Sequence, residues 1–327
     1  MSLWIILGVA IFIAVVLLQV VPLLVYAERK VSAFIQDREG PNRVHLSIKG
    51  VPVMPRGLMQ PLADAIKLMF KEDLMPTKAD KFLFMLAPVV AVVPNAAAFC
   101  VIPFGDRLVI ESLGWDINLQ VCSANAGILV ILALSSLAVY ALAFGGWAAN
   151  SKFPLMGGVR ATAQIISYEI ALGLALISVL MTAGTLDLQK IVLSQAHSFT
   201  DWNVFSQPLA FLILFVAAFA ENNRLPFDLP EAEPELVGGY HTEYSGLKFS
   251  MFFMGEYLAM VSMSAVVVTL FLGGWSLPGL IEPGSLSFFH GPATVLVFSA
   301  KMALVLFFYI WWISLRVVHH LSYFQWG

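Results

Sequence analysis

Residues 221–256, ENNRLPFDLPEAEPELVGGYHTEYSGLKFSMFFMGE, join two apolar runs and carry an unusual density of acidic side chains. One early base, Arg224, stands against the acids Glu221, Asp228, Glu231, Glu233, Glu235 and Glu243. A further acid, Glu256, lies inside the second apolar run. Charge is costly within a bilayer, so carboxylates placed there are typical of proteins that move protons or ions.

The overall composition supports a membrane location for these runs. Hydrophobic residues make up 59% of the 327 residues, and the mean hydropathy is +0.84. A soluble domain could not bury that much apolar surface. The net charge of −3 is uninformative because the charges are concentrated in loops. The chain contains no GxGxxG, Walker A or HExxH sequence, so nothing indicates nucleotide or nucleic-acid binding.

Seven apolar runs approach or exceed the length needed to span a bilayer. They cover residues 3–26, 82–103, 124–147, 161–184, 207–221, 249–273 and 293–315. The first run is too long for a signal peptide and lacks a preceding base, so we interpret it as a retained helix. The sequence therefore predicts an all-α, polytopic helix bundle of about seven transmembrane helices. We expect residues 1–327 to form a single integral membrane domain.

The connections between the runs predict an orientation. Most lysines and arginines lie in the first, third and fifth connections, whereas the second and fourth hold one base each and the sixth none. By the positive-inside rule, the odd connections face the cytoplasm, or the matrix in an organelle. The two long loops, about 27–81 and 222–248, are then on that side. The fourth and sixth connections have the composition of ordinary surface turns.

Residues 57–72, GLMQPLADAIKLMFKE, show the pattern of a two-faced helix. At helical spacing, Leu58, Leu62, Ala65 and Met69 share one face, and Gln60, Asp64, Lys67 and Lys71 share the other. This pattern favours an amphipathic helix lying on the membrane surface. The alternative is a core helix of a small soluble lobe.

Three charged residues lie within the apolar runs: Glu169, Glu256 and Lys301. For the two acids, near Glu221 and the acidic loop, we favour a functional role in a proton path, because burial and like charges raise carboxylate pKa values. The alternative is a buried ion pair that only fixes helix packing. For Lys301 both interpretations stay open.

Thiols and histidines give little support for a bound metal. Cys100 and Cys122 are too few for a self-contained iron–sulfur cluster. We expect two free thiols, with a disulfide as the alternative. The six histidines are scattered, so we predict neither a metal site nor a covalently bound cofactor.

Four segments resemble a known family. Residues 27–44 (AERKVSAFIQDREGPNRV), 57–73, 160–174 (RATAQIISYEIALGL) and 220–257 look like the H subunit of NADH-quinone oxidoreductase, or respiratory complex I. The mitochondrial equivalent is NADH dehydrogenase subunit 1. The resemblance covers most of the chain, and the segments occur in the family's order.

The resemblance implies a membrane subunit at the junction with the peripheral redox arm, which is not catalytic alone. Such a subunit forms a chamber for quinone as bound substrate and couples quinone reduction to proton translocation. When the family's motifs are matched to this sequence, the implied chamber residues are Glu28, Arg29, Arg38, Asp64, Arg224, Asp228, Glu231, Glu233 and Glu235. The proton-coupling residues are Glu169, Glu221, Glu243 and Glu256.

The implied partners are other subunits of the complex: peripheral iron–sulfur and quinone-site subunits, and small and antiporter-like membrane subunits. The implied location is an energy-converting membrane, either the bacterial inner membrane or the mitochondrial inner membrane. A homologous membrane component of a membrane-bound hydrogenase is an alternative interpretation. A stand-alone ion transporter is a third, although internal repeats and broken helices are not visible in the sequence.

Two departures from the family pattern stand out. Residues 45–56 (HLSIKGVPVMPR) lengthen the loop that follows GPNRV, and we expect them to touch a partner subunit. The family has an eighth membrane helix, whereas this sequence ends RVVHHLSYFQWG after the seventh run. A naturally short chain, a truncated one and a divergent C-terminus all remain open.

Overall fold

The fold is known from a computed structural model, which describes residues 3–44, 47–48, 51–52, 55–110, 115–224, 227–231, 233–280 and 289–324. Long helices dominate these ranges, and each of the seven predicted apolar runs coincides with one. They are α1 (Leu3–Ile35), α3 (Lys81–Ala98), α4 (Gly127–Ala148), α5 (Lys152–Ala183), α8 (Pro208–Glu221), α10 (Gly246–Phe271) and α11 (His290–Phe324). The numbering includes the shorter helices given below.

Five of these helices contain windows long and apolar enough to cross a membrane: α3, α4, α5, α10 and α11 through Ser314. Helix α8 is a shorter apolar helix. Together with the large apolar side chains that α4, α5 and α11 leave exposed, this architecture is that of a polytopic helical membrane protein.

Shorter elements connect the long helices. Two hairpins of paired antiparallel strands occur, β1 (Ser47–Ile48) with β2 (Val51–Pro52) and β3 (Arg107–Ile110) with β4 (Trp115–Asn118). The first hairpin lies in the loop insertion after GPNRV, half of which is outside the described residues. The remaining helices are α2 (Gln60–Phe70), α6 (Leu188–Ser194), α7 (Asn203–Ser206) and α9 (Glu233–Leu236), with 3₁₀ turns at Phe199–Asp201 and Gly239–His241.

The odd-numbered connections meet at one end of the bundle. Lys248 Nζ lies 2.8 Å from Asp73 Oδ2, and the Asp80 amide donates to the Ala148 carbonyl at 3.0 Å. At the other end, His290 Nε2 lies 3.2 Å from Asp106 Oδ2. The structure thus places the connections that are rich in lysine and arginine on one side of the bundle. This is expected, because two membrane crossings separate each odd-numbered connection from the next. Which side faces the cytoplasm remains a prediction.

Helix α10 lies at the centre of the bundle. From Tyr257 to Phe271 nearly every side chain is buried, including the small polar residues Ser262, Ser264 and Thr269. A helix that is apolar on all sides is expected to be surrounded by other helices. Helix α10 is in contact with α3, α8 and α11. Glu256 is part of α10 and therefore lies within the bundle.

The predicted amphipathic helix is present as α2. Pro61 lies in its first turn, where a proline is tolerated. Leu62, Ile66, Met69 and Phe70 are exposed, while α2 contacts α1 and α10. An exposed apolar face on a helix beside the bundle fits the surface-lying interpretation better than a soluble lobe.

The prediction for the fourth connection was wrong. Instead of surface turns, it folds into α6, α7 and a 3₁₀ turn that pack into the bundle. Leu188, Ile191 and Val192 are buried, and Gln195 is 1% exposed, with its amide donating to the Ile191 and Thr269 carbonyls. The apolar spacing LxxIV in a helix of only two turns is too short to register as a periodic pattern. Much of the sixth connection, residues 281–288, lies outside the described residues.

Candidate functional site

Arg224 is the centre of a buried charge cluster. Its guanidinium lies 3.4 Å from Glu28 Oε1 and 3.4 Å from Glu256 Oε2, and 4.7 Å from the ring centre of Tyr257. The three charged side chains are 17%, 18% and 10% exposed. Burial disfavours the charged guanidinium, but the facing carboxylates outweigh it and raise the Arg224 pKa, so the group stays charged.

Two tyrosines donate to the carboxylates of this cluster. The Tyr257 hydroxyl donates to Glu28 Oε2 at 2.7 Å, and the Tyr240 hydroxyl donates to Glu256 Oε1 at 2.8 Å. Hydrogen bonds to charged groups are stronger than neutral ones. The cluster therefore joins α1, the acidic loop and α10 at one point.

Glu231 extends the cluster within the loop. Its carboxyl neighbours Glu256, and Glu231 Oε1 lies 3.3 Å from His241 Nε2. Burial on its own would raise the Glu231 pKa, but His241 and then Arg224 bring that pKa below its ordinary value. Glu231 is thereby held in its ionised form.

Close backbone packing fixes the loop that supplies these residues. Gln164 of α5 donates to the Phe227 carbonyl at 2.8 Å and to the Ala220 carbonyl at 3.0 Å. Gly239 has φ +63°, and a Cβ there would lie 1.9 Å from the Pro230 carbonyl oxygen. A Cβ at Gly157 of α5 would lie 2.6 Å from the Tyr240 amide nitrogen. Only glycine fits at these two positions.

A second acidic cluster lies where α4, α5 and α8 meet. The Ser136 hydroxyl of α4 donates to Glu169 Oε1 of α5. The neighbouring Ser135 interacts with the carboxyl of Glu221, which also lies near Glu169. The structure therefore brings Glu169 and Glu221 together through a pair of adjacent serines.

A cavity of about 50 Å³ separates the two clusters. Glu221 and Ser135 line one part of it, and Glu256 and Tyr240 line another. The predicted acids Glu28 and Glu256 thus lie on one side of this cavity, and Glu221 and Glu169 lie on the other.

Four of the predicted chamber residues, Glu28, Arg29, Arg38 and Asp64, lie close together. Arg29 at the end of α1 pairs with Asp64 of α2, with 2.6 Å between NH1 and Oδ2. A cavity of about 330 Å³ opens beside this pair and is lined by Glu28, Arg29, Ser32 and Arg38, with Gly40 and Pro41. Glu28 faces this cavity and the Arg224 cluster alike.

Two predicted acids, Glu235 and Glu243, are not brought into the central cluster. Glu235 pairs instead with Arg160 at 2.7 Å, and its side chain is 64% exposed. Within the described part of the chain, Glu243 makes no hydrogen bond or ion pair. The side chain of Glu233 falls outside the described residues. Asp228 is half-buried in the same loop.

Sequence reasoning missed several members of the site. Tyr240, Tyr257 and His241 contact the predicted acids directly. Ser135 and Asn222 line the cavity between the two clusters, and Ser136 contacts Glu169. Isolated tyrosines and serines in apolar helices give no periodic signal. The position of Tyr257, next to Glu256, was the available clue.

Lys301 has a structural role at the other end of α10. Its ammonium donates to the carbonyls of Leu272, Gly274 and Ser276 at 2.6–3.0 Å, 4.5 Å from the Trp202 ring centre. A cation at the C-terminal end of a helix satisfies unpaired carbonyls and the helix dipole. Lys301 thus holds the end of α10 through backbone carbonyls rather than through the expected ion pair.

Neither a metal site nor a disulfide is found in the described ranges. Groups of three or more metal-binding side chains do not occur there. Cys100 and Cys122 are free thiols, although the Cys122 amide donates to the Cys100 carbonyl at 2.8 Å.

Comparisons with known proteins agree on one family. A family model described as NADH dehydrogenase matches residues 7–320. The first of two NADH-quinone oxidoreductase H subunits of Geobacter metallireducens is 48% identical over 298 residues, which is 90% of this chain and 82% of that protein. The second H subunit of Geobacter sulfurreducens is 49% identical over 296 residues, with the same coverage. NADH-quinone oxidoreductase subunit 8 of Rhodothermus marinus is 46% identical over 298 residues, 88% of this chain and 81% of that protein. The chain therefore belongs to the NADH dehydrogenase family of membrane proteins that includes these bacterial subunits.

Proposed function

We propose that this chain is the quinone-site membrane subunit of a proton-translocating NADH-quinone oxidoreductase in the bacterial inner membrane. The observation that carries the proposal is the buried Arg224, held between Glu28 and Glu256 beside a cavity at the level of α2. The subunit is not catalytic alone, because reduction of quinone needs an electron donor that partner subunits supply.

Quinone is the bound substrate in this proposal. A lipid-soluble quinone enters beside α2, whose exposed apolar residues Leu62, Ile66 and Met69 suit contact with lipid. The Arg29–Asp64 pair and the cavity lined by Arg38 form the mouth. The loop with Arg224, Asp228, Glu231 and Glu233 then forms the chamber wall. Partner subunits that hold the iron–sulfur centres cover the loop side.

Reduction of quinone to quinol takes up two electrons and two protons, so the quinol itself is neutral. Protons drawn from nearby acids leave those carboxyls negatively charged beside Arg224. Arg224 keeps its own charge, because the carboxylates around it raise its pKa. The change in charge therefore shifts proton occupancy on the acids that face Arg224, first Glu256. Glu221 and Glu169 pass the change to small and antiporter-like membrane subunits. The neighbouring carboxyls titrate as a coupled set rather than singly.

Exposed positions can test the orientation. In a variant with Cys100 and Cys122 replaced by serine, cysteines placed at Lys78 and at Glu235 should react with an impermeant maleimide only in inverted vesicles. A cysteine at Lys190, 65% exposed on the opposite side, is the control and should react only in intact spheroplasts. Labelling of position 78 from the outer face would refute the assignment.

The mouth predicts a specific defect in quinone access. Asp64→Leu removes the ion pair with Arg29, and Ala65→Phe adds bulk beside it. Each variant should raise the KM for quinone several-fold. NADH oxidation by a hydrophilic artificial acceptor should stay unchanged, because that reaction does not use the membrane mouth.

The matched control for this test is Asp73→Leu. Asp73 is itself exposed and also forms an ion pair near α2, with Lys248 at 2.8 Å, but it does not line the mouth. It should leave the quinone KM near the native value. Equal loss of both activities in Asp64→Leu would indicate failed assembly, and an unchanged KM in both mouth variants would exclude entry at this point.

A further inference from the structure

The chain has two cysteines, Cys100 and Cys122, which are separated by residues 101–121 in the sequence but are adjacent in the fold. The Cys122 amide donates to the Cys100 carbonyl at 2.8 Å, and the two thiols lie close enough for their charges to interact. A core residue typically touches about 6–12 others. Two cysteines placed at random in a chain of 327 residues would therefore meet in at most about 4% of cases.

The backbone around the pair has the spacing that a disulfide requires. With standard bond lengths, one backbone hydrogen bond puts two Cα atoms about 5–6 Å apart, and native disulfides join Cα atoms about 4.4–6.8 Å apart. Neighbouring contacts fix this approach. The side-chain amide of Gln120 donates to the Val101 carbonyl at 2.7 Å, and the Phe104 amide donates to the Leu119 carbonyl at 3.2 Å. The segment that leaves α3 and the segment that enters α4 are thus held side by side.

The pair lies at the end of the bundle where thiols are expected to be oxidised. It is in the second connection, between α3 and α4, which contains a single base, Arg107. By the positive-inside rule this connection faces the periplasm, an oxidising compartment in which disulfides form and persist. Cys122 is exposed and Cys100 is half-buried. Cysteines that serve only for packing are usually buried, so packing alone does not account for Cys122.

We propose that Cys100 and Cys122 are the site of a disulfide on the outer face of the membrane, formed by exchange with a periplasmic thiol–disulfide oxidoreductase. Both thiols are free in this structure, which represents the reduced form of the pair. The inference uses the orientation of the chain but not its quinone-site role, so the two proposals can fail separately.

The exchange is balanced in two steps. The exposed Cys122 thiolate attacks the disulfide of the oxidoreductase, which gives a mixed disulfide and releases one oxidoreductase thiolate. The Cys100 thiolate then attacks Cys122 Sγ, and the second oxidoreductase sulfur leaves as a thiolate. The pair loses two electrons and two protons, and the oxidoreductase becomes a dithiol.

The disulfide joins the two ends of the segment that forms the outer hairpin. Strands β3 and β4 both lie between the cysteines. Asp106, just before β3, contacts α11 through His290 at 3.2 Å and through the Thr294 hydroxyl at 3.4 Å. Closing residues 100–122 into a loop restricts the unfolded chain, and for a loop of this length the opening equilibrium should shift by roughly a hundredfold.

Thiol trapping in cells tests the linkage directly. Cells that make the whole complex are quenched in acid, denatured and alkylated with N-ethylmaleimide. The chain is then reduced and alkylated with deuterated N-ethylmaleimide. Mass spectrometry should find the deuterated label on both cysteines, and growth with dithiothreitol should replace it with the light label. Light label on both cysteines without dithiothreitol, or a different adduct on Cys122 with Cys100 free, would overturn the proposal.

A single replacement supplies the matched control. In intact spheroplasts, an impermeant maleimide should leave the native chain unlabelled until dithiothreitol is added. Cys100→Ser should be labelled without reductant, because the exposed Cys122 then lacks its partner. Labelling of the native chain without reductant would contradict the linkage. Labelling of Cys100→Ser only in inverted vesicles would contradict the periplasmic location on which the linkage depends.

Hydrogen exchange in the assembled complex measures what the linkage does. In Cys100→Ser/Cys122→Ser, the amides of residues 104–110 and 115–120 should exchange roughly a hundredfold faster than in the native protein. Exchange in α2 and the quinone reductase rate should stay near native, because both belong to the opposite end of the bundle. Native protection of the hairpin in this double variant would show that no bond joins its two ends, and would contradict the proposal.

Discussion

Replacing Arg224 by methionine is expected to abolish quinone reductase activity. The change keeps much of the apolar stem but leaves Glu28 and Glu256 facing each other without the cation that lies 3.4 Å from both. Removing one partner of a buried ion pair costs about 3–5 kcal/mol, which corresponds to more than about a hundredfold in an equilibrium or rate constant. We therefore expect less assembled complex. In the fraction that assembles we also expect loss of quinone turnover, because the two carboxylates then face the chamber without their cation.

Two further variants sharpen this result. Arg224→Lys keeps the charge but cannot face both carboxylates at once, so it should assemble normally with intermediate activity. Arg160→Met is the matched control, because Arg160 pairs with a single exposed acid, Glu235, and exposed pairs contribute at most about 1 kcal/mol. If Arg224→Met turns over quinone at the native rate, the buried cluster is not part of the quinone chamber.

Replacing Glu256 by glutamine should stall quinone reduction and proton pumping together. Glutamine preserves the size of the side chain and can still accept from Tyr240, but it does not titrate. Because the two processes are coupled in this proposal, both rates should drop by more than about tenfold, within the range for loss of a general acid–base group. Glu256→Asp keeps a titratable group with a shorter reach and should be milder.

Glu235→Gln and Glu243→Gln are the controls for this second experiment. Glu235 forms an exposed pair outside the central cluster, and Glu243 makes no ion pair or hydrogen bond within the described residues. Both variants should pump at nearly the native rate. If they are as damaging as Glu256→Gln, location in the buried Arg224 cluster does not determine which of the predicted acids take part in proton coupling.

Hydropathy predicted the positions of the long helices well. A spanning helix must satisfy its own backbone in lipid, so its sequence has to be apolar over a fixed length. The boundaries differ by several residues where a helix continues beyond the bilayer. Helix α1 extends to Ile35 rather than residue 26, and this extension places Glu28 and Arg29 beside the loop.

Glu169 and Glu256 were predictable as site members because charge in an apolar run is rare, and Glu28 because of the resemblance to the family. Their individual partners were not. Nothing in the sequence indicates that Glu235 pairs with Arg160 while Glu231 pairs with His241, since both acids share one short loop. Those choices depend on the turn at Gly239 and on the packing of the loop against Gly157.

The cavity and its polar lining could not be predicted at all. Asn222 appears in the sequence as an ordinary polar residue after an apolar run, and Ser135 and Ser136 as ordinary small residues inside one. Their proximity to the acids depends on how α4, α5 and α8 pack. The contact between Ser136 and Glu169, for example, joins residues that are 33 positions apart in the sequence.

The central claim is that Glu256 and Glu169 act as parts of one relay, and a double-mutant cycle tests it most directly. The measurement is the quinone reductase rate of Glu256→Gln, Glu169→Gln and the double variant, each in assembled complex. Groups that act as a unit give non-additive losses, so the account predicts a double variant about as slow as the slower single one. Losses that multiply, or two single variants at the native rate, would contradict it.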